Sequence, residues 1–212
     1  MVININTDLN DRYIIFDDLI KLSKKIVYPQ VVRKDLFNIW KEKIDYLEKY
    51  YNSIYSNDIY DFNYFRGLSD ISLNIIKNID IYQITYGLSI NRFYNIKTLF
   101  DIYNPNNIKY SPIINSFSEY IKHEFFYNNK KSVEYYKIFD MKLNIEDYYY
   151  FIARLIFPTY YFDLFKDNKI KMNYELIVNN INDYISNIKE IFTEIKKRHI
   201  NMPFIDYVIN LL

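Results

Sequence analysis

The sequence predicts a mainly α-helical protein, and three observations carry that expectation. Apolar residues recur every three or four positions through most of the chain, which is the spacing of helices with one buried face. Only two glycines and five prolines punctuate 212 residues. Half the residues are apolar and a fifth aromatic, with 25 Tyr and 16 Phe, so core material is plentiful. The expected organisation is a single helical domain, a bundle, over 1–212. Its parts are an N-terminal helix and connection (1–34), a helical hairpin (35–79), a region of one or two short strands or extended loops near 81–109, and a helical subdomain (111–212).

Each element follows from its spacing. Leu9, Tyr13, Phe16 and Ile20 share one face behind a cap at Asp8, predicting a helix to about Ile26 that Pro29 ends. Leu36, Trp40, Ile44, Leu47, Tyr51 and Ile54 form the clearest stripe, capped by Asp35, with charged residues on the other faces. A third helix runs from Tyr64 to Ile79 through Leu68, Ile71 and Ile75, where Gly67 is expected to admit a neighbouring backbone. The period is then lost. Ile81–Tyr86 and Ile96–Phe100 read as brief strands or extended loops separated by Gly87, and 104–107 as a turn. If the protein has a site on loops, this is the region to hold it, a location rather than a chemistry.

Helices resume after Pro112, with Ile114, Phe117, Ile121 and Phe125 on one face. A short helix over Val133–Phe139 and a long aromatic one from Ile145, interrupted at Pro158, come next. Ile177, Ile181, Tyr184, Ile188, Ile191 and Ile195 repeat nearly every 3.5 residues over Tyr174–Lys197, the spacing of a helix lying between others. Pro203 opens a last short helix, Phe204–Leu212. Buried Tyr hydroxyls are expected to bond to side chains or backbone at the edges of the core.

Composition excludes more chemistry than it supplies. Phosphate-cradling loops need several glycines, because the backbone must take positive φ and approach the ligand closely; Gly67 and Gly87 cannot build one. The Ile, Asn, Tyr, Lys and Phe that replace small residues point to an AT-rich genome. Twenty-seven basic against 26 acidic residues give a net charge of +1, against the usual footprint of nucleic-acid binding. Cysteine is absent, which removes thiol chemistry and Cys-ligated metals and fits a cytoplasmic protein. Asn4, Asn6, Asp8 and Asn10 stand where a signal peptide would be apolar. Arg154 and Asp163 interrupt the densest apolar patch, 148–165, so no membrane span is expected.

Candidate chemistry is sparse. His123 and His199 are far apart, and adjacent Glu124 projects about 100° from His123 on a helix, so no metal or other cofactor is expected. The nucleophile elbow of a Ser-His-Asp hydrolase is missing. Lys196, Lys197, Arg198 and His199 read as a solvated helix C-terminus, as do Lys21, Lys24 and Lys25. The aromatic block from Tyr148 to Asp163 reads as a Pro-kinked core helix, with an aromatic cage as the alternative. Within it Arg154 must snorkel, pair with an acid or bind an anion. Arg154, Tyr160, Tyr161 and Asp163 are therefore the candidate binding or buried ion-pair positions.

Three strings carry a resemblance: Trp40 with Lys43-Ile44-Asp45-Tyr46-Leu47-Glu48; Asn63-Tyr64-Phe65-Arg66-Gly67-Leu68; and Arg154-Leu155-Ile156-Phe157-Pro158-Thr159-Tyr160-Tyr161-Phe162-Asp163. They are similar to stretches of kinase-like proteins of low-GC Gram-positive bacteria. Those proteins resemble the helical C-terminal lobe of the aminoglycoside and choline phosphotransferase superfamily, spore-coat-associated members included. The resemblance implies a catalytic loop reading His-Gly-Asp with a following Asn, then a second Asp that holds magnesium. This chain departs at each point. Tyr86, Gly87 and Leu88 stand where the loop would fall, Asn91 is at the wrong offset, and Ile108-Lys109-Tyr110-Ser111 offers no acid for the metal. The first 35 residues are too short for a nucleotide-clamping lobe.

The resemblance thus implies a degenerate, non-catalytic relative that acts by binding a protein partner. One alternative is a small-molecule phosphotransferase subunit whose missing lobe comes from another chain. A second, of another class, is a helical nucleic-acid-binding or phage-defence module using the aromatic block and the Lys196 to His199 cluster.

Overall fold

A computed structural model describes residues 16–25, 36–54, 59–90, 93, 96, 98–128, 134–164, 171–198 and 202–212. The protein is mainly helical. Among the described residues the helices are α1 (Phe16–Ser23), α2 (Leu36–Ile54), α3 (Ile59–Lys77), α4 (Leu99–Tyr103), α5 (Ile114–Asn128), α6 (Ile145–Ile156), α7 (Thr159–Leu164), α8 (Lys171–Lys197) and α9 (Ile205–Leu211). Two strands, β1 (Tyr86–Ile90) and β2 (Ile108–Pro112), pair antiparallel with Leu88 opposite Tyr110. No helix among the described residues is long and apolar enough to cross a membrane.

Contacts group the chain into two compact units. One contains α1, β1, α4, β2, α5 and α6 as far as Phe151; the other contains α2, α3, the end of α6 from Ile152, α7, α8 and α9.

In the first unit, α5 is the central element. Its expected face, Ile114, Phe117, Ile121 and Phe125, is buried, and so is most of the opposite side, because α1 and β1 also pack on it. Phe16 of α1 lies against Phe117 (4.8 Å between ring centres) and Tyr120 (6.1 Å). Strand β1 passes so close to α1 that a Cβ on Gly87 would meet Ile113 Cγ2 at 2.6 Å and the Ser23 carbonyl oxygen at 3.0 Å. Gly87 therefore lies within a strand rather than between two, since glycine in a strand marks a place where another backbone comes near. The segments expected to be extended shift accordingly: Ile81–Gln83 is a turn, and Leu99–Tyr103 is the short helix α4. Thr98 and Asp101 form a capping pair at its start, the Asp101 carboxylate accepting from the Thr98 N–H at 3.0 Å.

In the second unit, the stripe on α2 buries Trp40, Ile44 and Leu47, and α3 buries Leu68 and Ile75 while Ile71 is half-buried; the helix stops at Lys77, short of the expected Ile79, which is buried just beyond its end. The six residues Ile177, Ile181, Tyr184, Ile188, Ile191 and Ile195 of α8 are all buried, as the 3.5-residue period requires. Pro158 separates α6 from α7 as expected; it carries no N–H to continue the helix. The Tyr184 hydroxyl donates to the freed carbonyl of Leu155 at 2.8 Å. The expectation for Gly67 does not hold: a Cβ there would meet nothing within 4 Å. Buried Ser69 and Ser72 instead make α3 self-contained, donating to the carbonyls of Phe65 (2.8 Å) and Leu68 (3.0 Å).

Several expectations fall outside the described residues: the helix start before Phe16, the Asp8 and Asp35 caps, Pro29, Asn91, Val133 and His199. The helix expected over Val133–Phe139 is represented by a 3-10 helix at Tyr135–Asp140.

Candidate functional site

The three strings that carry the resemblance meet in the second unit. Trp40 of α2 stacks on Phe157, just beyond α6, with ring centres 4.3 Å apart. The Arg154 guanidinium lies over the same indole, 5.6 Å from its centre, with only 6% of the residue exposed. Phe65 of α3 stacks on Tyr161 of α7 at 3.6 Å. Lys43 of α2 donates to Asp163 at 2.7 Å, and Arg66 of α3 bonds both Glu48 of α2 and Asp70 of its own helix. Burial lowers the basicity of Arg66, but its two carboxylate partners outweigh that and hold its pKa above the ordinary value.

The four candidate positions thus take separate places in one packed nucleus. The Arg154 guanidinium lies against an aromatic face, a desolvated cation–π contact. Tyr160 and Tyr161 are almost wholly buried, Tyr161 within the ring stack. Asp163 is the acid of an ion pair, and its cation is Lys43. The periodicity of α2 alone placed Lys43 off the apolar stripe and gave no sign of that pairing.

The first unit holds the segments where the resemblance would put a catalytic base and a metal-holding acid. They are hydrogen-bonded neighbours: Gly87 faces Ser111, and Leu88 faces Tyr110. The Ser89 and Ser111 hydroxyls bond each other, and the Ile90 N–H donates to Ser116 Oγ at 2.6 Å. Beside the strand pair is a fully buried carboxylate, Asp147, which accepts from the Thr85 N–H (2.7 Å), the Thr85 hydroxyl (2.6 Å) and the Asn144 N–H (3.1 Å). Asn144 Oδ1 in turn accepts from the Asp147 N–H at 3.0 Å, which completes a capping box at the start of α6. Sequence reasoning missed this device, whose Asn-x-x-Asp before an apolar run is a variant of the ordinary Ser/Thr-x-x-Glu signature.

A second polar group surrounds α5. Asp18, Glu119, Lys122 and Glu124 are buried there. Burial pushes the Tyr120 hydroxyl far above the ordinary phenol range, with Glu124, Glu134 and Asp18 adding to the shift and Lys137 opposing it. Lys137 bonds Asp17 (2.8 Å) and Glu134 (2.7 Å), and these partners raise its pKa. His123 stacks on Tyr127 at 5.1 Å, with Nδ1 3.8 Å from Glu124 Oε1. Among the described residues no group of three or more His, Cys, Asp or Glu side chains is placed to hold a metal ion. The basic C-terminal cluster is engaged locally, Lys196 with Asp206 and Arg198 with Glu194.

Compared with models of known protein families, with curated proteins and with solved structures, the chain matches none. The class its fold defines is therefore a broad one: a mainly helical protein with a single two-stranded antiparallel sheet among its described residues.

Proposed function

We propose that this chain is a non-catalytic, kinase-like helical protein that acts in the cytoplasm by binding another protein. The observation that carries the reading is the β1–β2 pairing. It sets Tyr86, Gly87 and Leu88 beside Tyr110 and Ser111, so the two segments that would supply the base and the metal-binding acid of a phosphotransferase are neighbours that carry no carboxylate. Phosphoryl transfer depends almost entirely on placed charge, and Leu88 and Tyr110 provide none. The buried acid nearby, Asp147, is committed to holding Thr85 and the start of α6. The convergence of the three resembling strings on one nucleus supports common ancestry, since they are kept together by mutual packing.

Thermal unfolding with and without magnesium and ATP tests the reading. A ligand at 100 times its Kd adds about 2.7 kcal/mol to stability, or about 5–10 °C for a chain of this size. No shift is expected. A shift that requires both magnesium and ATP would refute the proposal.

A further inference from the structure

We draw no further inference here: the strongest candidate, the cleft of about 300 Å³ between α2 and α3, sets Lys41, Arg66 and Lys77 against Asp45, Asp70 and Glu48 with no excess of either charge, and nothing in the structure shows what covers its apolar floor.

Discussion

Replacing Trp40 tests whether the nucleus of the second unit is held by ring-specific contacts or by apolar volume alone. Trp40→Leu retains a buried apolar side chain but removes the stack on Phe157 and the face over which Arg154 lies. A stacked aromatic pair contributes about 0.5–1.5 kcal/mol beyond its area, and a cation–π contact from a desolvated guanidinium about 1–2 kcal/mol. The expected loss is about 2–3 kcal/mol, which in a chain of 212 residues lowers the melting temperature by about 4–12 °C. Trp40→Phe keeps a ring for Phe157 and a weaker face for Arg154, so its loss is smaller, about 1 kcal/mol. Because Trp40 is the chain's single tryptophan, unfolding is followed in urea by circular dichroism. A double-mutant cycle with Arg154→Met isolates the cation–π share, expected at about 1 kcal/mol of coupling. Equal losses for the Leu and Phe variants, with no coupling to Arg154, would mean that apolar volume alone holds this nucleus.

Four further substitutions have signed outcomes. Gly87→Ala forces a Cβ against Ile113 and the Ser23 carbonyl and should cost about 1–3 kcal/mol, whereas Gly67→Ala, exposed in α3 with open space around it, should stabilise by about 0.5–1 kcal/mol; urea midpoints compare the two. Asp147→Ala strands the Thr85 and Asn144 N–H groups and should cost about 3 kcal/mol, read from the same midpoints. Tyr120 has a raised pKa in the folded state, so its contribution is fully present below the ordinary phenol value of about 10 and is lost as pH rises from there toward the folded pKa. Tyr120→Phe should therefore flatten the fall in stability from about pH 10 to about pH 12, and an unchanged slope would contradict the assignment.

Helices with one buried face were legible from spacing alone. Trp40, Ile44 and Leu47 of α2 and the isoleucines of α8 are buried as their periods require, and Pro158 interrupts the aromatic segment where its missing N–H dictates. The sheet was legible only as a region. Gly87 reads locally as a break, yet it is strand because α1 passes over it, and that contact is between residues far apart in sequence. Helix α5 was half legible: one apolar face can be counted, but Glu119, Lys122 and Glu124 become buried only because other elements enclose them. Likewise nothing in a one-dimensional pattern distinguishes Lys43, which pairs with Asp163, from Lys41, which stands on the rim of a cleft. Burial of a charge is decided by what packs on it, and periodicity describes only the helix it sits on.

On the proposed non-catalytic reading the β1–β2 segment supports no phosphoryl transfer, and this is measured most directly as transfer of labelled γ-phosphate from ATP, with magnesium, to a panel of aminoglycosides, choline and water by the purified chain. No label in any acceptor and no phosphate release above the uncatalysed rate are expected. Transfer that persists through purification and is abolished by Asp147→Asn would contradict the reading, because that carboxylate would then serve the reaction rather than only the fold.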